Sequence, residues 1–141
     1  MEWDEIDDSV DETSTQVETE TQELFYGSVD DFVANFLIHA YKRPVNGRTS
    51  VWAAQWWKFD EAIMRLEALW RAWEHLRLDA SLGMSTWWRD HADHHMDVLL
   101  HPDGPFASVV GERENSCKPG EPLPYEAPPP GLFPDVRVIE E

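Results

Sequence analysis

The run Asp60-Glu61-Ala62-Ile63-Met64-Arg65-Leu66-Glu67-Ala68-Leu69-Trp70-Arg71-Ala72-Trp73-Glu74-His75-Leu76-Arg77 decides the class of the fold. Wound as an α-helix, it gathers Ala62, Ile63, Leu66, Leu69, Trp70, Trp73 and Leu76 into one apolar stripe. Glu61, Arg65, Glu67, Arg71, Glu74 and Arg77 are assigned to the other side. Asp60 stands where a helix cap is wanted. Glu61–Arg65 and Glu67–Arg71 are (i, i+4) pairs in the favourable order, each worth about 0.3 kcal/mol.

Two further helices flank this one. Upstream, Ser28 followed three residues later by Asp31 forms an acidic variant of the capping box. From there Val29, Phe32, Val33, Phe36, Leu37, Ala40 and Tyr41 make a stripe that Pro44 and Asn46-Gly47 bring to an end. Downstream, residues 79–83 break the central helix, and Ser85 is placed to cap a segment carrying Trp87, Trp88, His91, Ala92, Met96, Leu99 and Leu100, with Asp93 placed to interrupt it by capping a fresh turn. The six residues from Trp52 to Trp57 are too few for periodicity to decide between helix and strand, and a short helix is favoured. The expected architecture is all-α: a small bundle of three to four Trp-rich helices with disordered N- and C-terminal tails.

The charge supports that division. Residues 1–24 carry ten acids and no Lys or Arg, residues 25–106 eleven acids against eight bases, and residues 107–141 seven against three, so the net −17 divides as −10, −3 and −4. Three parts follow: an acidic disordered arm over 1–24, a helical domain over 25–106, and a Pro-rich extended, mobile tail over 107–141. Within the arm, Trp3 and Ile6 are a candidate docking motif. Direct nucleic-acid binding is disfavoured, because phosphates call for clustered Lys and Arg. No stretch reaches the roughly eighteen apolar residues of a membrane span, and no export signal precedes the domain. The lone Cys117 cannot form an intrachain disulfide, which makes a cytoplasmic setting the default expectation.

Seven of the eight tryptophans fall between residues 52 and 88. Each indole N–H needs an acceptor when buried, so carboxylates or histidines are expected inside. Five of the rings, Trp52, Trp56, Trp57, Trp87 and Trp88, are more than a three-helix core is expected to hide, and with Arg89 they form a candidate protein-binding surface. The other constellation is Arg89-Asp90-His91-Ala92-Asp93-His94-His95. His91 and His95 have the spacing of a two-histidine zinc motif, with Glu74 or His75 as a third ligand. Both histidines also fall on the apolar stripe, where structural roles are the commoner use. No nucleophile motif and no phosphate-binding glycine loop is present, and no cofactor is expected.

The segments Phe25-Tyr26-Gly27-Ser28-Val29-Asp30-Asp31-Phe32, Trp56-Trp57, residues 65–77, Trp87-Trp88-Arg89-Asp90-His91 and Asp103-Gly104-Pro105-Phe106 together resemble an actinobacterial family, domain-of-unknown-function family 4913. The resemblance spans about residues 25–106. It implies a place in the biology of actinobacterial mobile elements and phages, and it brings no activity or catalytic residue. In that family the position of His94 is often proline, which suits Asp93 as a helix cap and weakens a site that needs His94. The reading reached is a non-enzymatic binding or adaptor module for an unidentified protein partner. Its rivals are a metal-dependent enzyme built on His91 and His95 and an acidic mimic of DNA built on the arm.

Overall fold

The computed structural model describes residues 24–137; the acidic arm, with Trp3 and Ile6, lies outside the described residues. Three helices form the body. Helix α1 (residues 29–40) runs through α-helical Val29–Phe32, a π-helical stretch Val33–Leu37 and α-helical Ile38–Ala40. Helix α2 is Asp60–Leu76, and helix α3 (residues 83–99) joins Gly83–Thr86, a π-helical stretch Trp87–Ala92 and Asp93–Leu99. Helix α2 packs against both of the others. Short 3-10 turns sit at Trp56–Lys58, Ala107–Val109 and Arg113–Asn115. Among the described residues there is no strand, only an isolated antiparallel bridge between Val45 and Cys117. No helix among them is long and apolar enough to cross a membrane.

The start of α1 follows from its capping residues. Asp31 N donates to Ser28 Oγ at 3.0 Å, and the Asp31 carboxylate accepts from Gly27 N at 3.2 Å, one residue earlier than the box requires. Beyond the helix, Asn46 Oδ1 accepts from the backbone N–H groups of Arg48, Thr49 and Ser50, and Gly47 takes φ +78°, which fixes the reversal. Helix α2 departs from expectation at its first turn: Phe59 is the cap position, and Asp60 acts from inside the first turn, where its charge faces the positive end of the helix dipole. The Glu61–Arg65 and Glu67–Arg71 pairs form at 2.9 and 3.9 Å.

Helix α3 is unbroken through Asp93, whose φ −61° and ψ −40° are helical. Asp93 caps nothing; it accepts a 3.0 Å hydrogen bond from the Tyr41 hydroxyl. Ser85 likewise lies inside the helix, and Asp79 Oδ1 takes the N–H of Ser81 at 2.9 Å in the preceding turn. The irregularity is instead the π turn. The buried residues of α3 are Gly83, Trp87, Ala92, Met96 and Leu99, with a step of five at Trp87–Ala92. In a regular α-helix five residues overshoot a full turn by about 140°. The wider i→i+5 turn brings Ala92 back onto the face that Trp87 starts. Gly83 opens the helix where a Cβ would lie 1.8 Å from the Leu76 carbonyl oxygen, so the α2–α3 corner closes only around a residue without one.

Between α1 and α2, the expected short helix is confined to Trp56–Lys58; Val51, Trp52 and Ala53 are irregular and buried. Residues 107–137, read from composition as an extended mobile tail, are largely irregular, and they are packed on the helical body. Val109, Asn115 and Leu123 are buried. Val45 and Cys117 exchange backbone hydrogen bonds of 2.9 and 3.0 Å, and Leu123 N reaches Ile38 O at 3.2 Å. Composition hides this because the groups that hold this strap, residues 107–137, are isolated apolar side chains and single backbone N–H and C=O groups spread among prolines.

One buried carboxylate ties the entry of the domain to its central helix. Glu74, 5% exposed, accepts from Phe25 N and Arg77 Nε on Oε1, at 2.8 and 3.2 Å, and from Tyr26 N and Trp70 Nε1 on Oε2, at 2.8 and 3.0 Å. It extends the row Ala62, Leu66, Trp70 by one more step of four and so belongs to the buried face. Removing it strands several donors at once. Glu74→Ala is expected to lower the unfolding free energy by about 3 kcal/mol in a denaturant titration, and Glu74→Gln, which keeps one acceptor oxygen, by clearly less. Equal losses for the two variants would contradict this account.

Candidate functional site

The tryptophans proposed as a surface fall into two groups. Trp87 and Trp88 join the aromatic layer between the helices, where Phe32 and Phe36 meet Trp87 at centroid distances of 6.4 and 5.8 Å. Trp87 is fully buried and donates to Leu69 O at 3.1 Å. Trp88 is half-buried and stacks on Tyr41 at 5.8 Å, with the Arg43 guanidinium 4.1 Å from the Tyr41 ring centre. Burial and the Asp93 carboxylate push the Tyr41 hydroxyl up to about 12. Arg89 is exposed, and both of its bonds, 2.8 and 3.3 Å, go to neighbouring Asp90.

The second group, Trp52, Trp56 and Trp57, is positioned by the irregular stretch 51–53 and the 3-10 turn that follows. Trp52 and Trp56 are fully buried, so with Trp87 they are core residues and not open surface; Trp57 is half-buried. A three-helix bundle alone does not cover them. The extra cover comes from residues after 105: Phe106 packs edge-on to Trp52 at 5.4 Å, and Phe133 stacks on Trp56 at 5.4 Å.

The face made by these three rings holds a length of the chain's own Pro-rich segment. Trp52 Nε1 donates to Pro124 O at 2.8 Å, and Trp57 Nε1 donates to Glu126 O at 2.8 Å. The Glu126 N–H returns a 3.0 Å bond to Ala54 O, and its carboxylate accepts from Gln55 Nε2 at 2.7 Å. Between the two gripped carbonyls, Tyr125 donates to Asp30 Oδ1 at 2.6 Å. Thus the indole acceptors are one carboxylate, Glu74, and three backbone carbonyls; no histidine serves. Beside Glu126 lies a polar cavity of about 310 Å³ lined by Gln55, Lys58, Glu112, Glu114 and Asn115 among others. It gathers carboxylates, the Lys58 ammonium group and the Ser108 hydroxyl, with no histidine or thiol in its lining.

The histidine constellation is not drawn together with Glu74 and His75. His95 Nδ1 lies 3.0 Å from Arg65 Nη1, and since a guanidinium only donates, this nitrogen is the acceptor and the ring proton sits on Nε2. The Nδ1 lone pair is thus directed at Arg65. Glu74 is committed to its four donors, and His75 is exposed. Among the described residues no three His, Cys, Asp or Glu side chains converge as a metal site. Cys117 is half-buried, donates to Arg43 O at 3.2 Å, and burial pushes its thiol up, away from the activated thiolate.

His95 is instead the end of a chain running Glu61, Arg65, His95 that links α2 to α3. Burial first, then Arg65 and the neighbouring His94 and His91, hold its imidazole below the usual histidine range. The neutral ring is therefore the folded form, and stability drawn from it is present above about pH 6.5 and lost as pH falls through the lowered value. In an NMR titration the His95 midpoint is expected below 6.5 and should rise in Arg65→Met; a midpoint unmoved by that change would remove Arg65 as a cause.

Comparison with known proteins gives one match. The model of a family described as a domain of unknown function, DUF4913, matches residues 26–129, and the chain belongs to that family. No curated protein and no solved structure matches the chain.

Proposed function

We propose that this member of the DUF4913 family is a non-enzymatic protein-binding module that holds an extended segment of a protein partner on the face built by Trp52, Trp56 and Trp57. The observation that carries the reading is the double grip on Pro124 and Glu126, in which two indole N–H groups donate to carbonyls two residues apart. A Pro-rich segment is poor in donors and rich in carbonyls, so a face whose indole N–H groups are directed at backbone carbonyls matches its chemistry. Recognition of such segments in aromatic-lined grooves is a recurring form of protein–protein contact, and tryptophan is prominent among its anchors. The net charge of −17 favours basic partners over nucleic-acid backbones.

The test is selection from a displayed peptide library on the intact folded chain. Extended peptides containing proline and an aromatic residue are expected to be enriched, and Trp57→Ala, which changes a half-buried ring, should weaken them about tenfold, or roughly 1.4 kcal/mol. A folded chain that enriches no peptides, or enriches them equally after Trp57→Ala, sinks the proposal.

A further inference from the structure

Among the described residues, Trp56 Nε1 is the buried side-chain polar atom that has no hydrogen-bond partner. The indoles of Trp52, Trp57, Trp70 and Trp87 all have acceptors. What lies on the Trp56 ring is Phe133, stacked at an interplanar angle of 23°. Phe133 belongs to residues 131–137, of which every other member is exposed. This segment follows Pro128-Pro129-Pro130 and begins at Gly131 with φ +86°, so a stiff rod ends in a residue free to take a left-handed turn. It also lies beyond the family match, which ends at residue 129.

Its other attachments are few and peripheral. Val136 N donates to Gly27 O at 2.9 Å, Arg137 donates to Phe25 O, and the Asp135 carboxylate rests against Gly27 where a Cβ would stand. Arg137 pairs with Asp135 at 2.9 Å and approaches Asp31 at 3.9 Å, in groups more than a third exposed. Exposed pairs of this kind are worth little. The contrast with residues 123–126 is plain, where Leu123 is buried and two indoles hold the backbone.

We propose that residues 131–137 are a displaceable cover over Trp56, and that the ligand for the uncovered ring is an extended partner peptide presenting an aromatic side chain and a hydrogen-bond acceptor. This rests on the peptide-binding reading above and names the chemistry of its partner. The cover supplies a ring to the indole face and no acceptor to its N–H. Being tethered, it competes at high effective concentration, and only a ligand that fits better displaces it.

The probe is a labelled synthetic peptide of residues 128–137, titrated against the full chain. Opening the cover by Phe133→Ala in the chain should tighten its binding at least about tenfold, and the same peptide carrying Phe133→Ala should lose binding to the opened chain. Hydrogen exchange at the Trp56 indole should quicken in the opened chain. Should Phe133→Ala fail to fold, the double variant Asp135→Ala/Arg137→Ala, confined to exposed residues, is expected to give the same tightening. Equal affinities of the unaltered and opened chains, or equal binding by the Phe133→Ala peptide, overturn the proposal. If library peptides bind the unaltered and opened chains alike, the cover falls and peptide binding stands; if the library also yields nothing, both fall.

Discussion

The carboxylate of Glu74 is the constraint on which the rest of the structure depends. An ionisable group placed 5% exposed in an aromatic interior needs donors on both oxygens, and this one finds two backbone N–H groups, an indole and a guanidinium. Because the backbone donors come from Phe25 and Tyr26, the segment that enters α1 is held against the C-terminal end of α2. That fixes Tyr26 beside Trp73 and Phe32, at 5.3 and 5.8 Å, and places Gly27 where the end of the strap rests on it. Arg77 covers the open side and lies 5.5 Å from the Trp73 ring centre.

The tryptophans are distributed by the same logic of satisfied donors. Trp70 and Trp87 find their acceptors within the helical body, so they are interior side chains in both shape and chemistry. Trp52 and Trp57 find theirs on residues more than sixty positions away, so their burial depends on the strap being in place. The surplus of rings that appears too large for three helices is thereby accommodated by a fourth layer that is mostly irregular, with two short 3-10 turns. Chemistry that needs a nucleophile or a metal has no comparable support: the histidine nearest such a role is turned toward Arg65.

Much of the helical body was legible in the sequence. The stripe of residues 60–77, the Ser28 cap and the Asn46-Gly47 turn are local features whose cause lies within a few residues, and each is present. Glu74 was misassigned because residue type outweighed spacing: steps of four from Ala62 lead to it, but a carboxylate suggests the outside. The π turns were missed because the step of five from Trp87 to Ala92 reads as a break in period, and Asp93 offered a convenient cap. The aromatic face of Trp52, Trp56 and Trp57 was legible as a surplus of rings and illegible as a place, since Pro124, Glu126 and Phe133 are distant in sequence and Pro-rich composition announces extension without saying what it lies on.

The span of the strap's contacts bears on how the chain reaches this state. Tyr125 meets Asp30 across 95 residues, and Trp52 meets Pro124 across 72. Helical bundles owe their fast folding to local contacts, and this one closes its last layer through some of its longest loops. Burial of Trp52 and Trp56 therefore depends on closing those loops, whereas the packing within each helix does not.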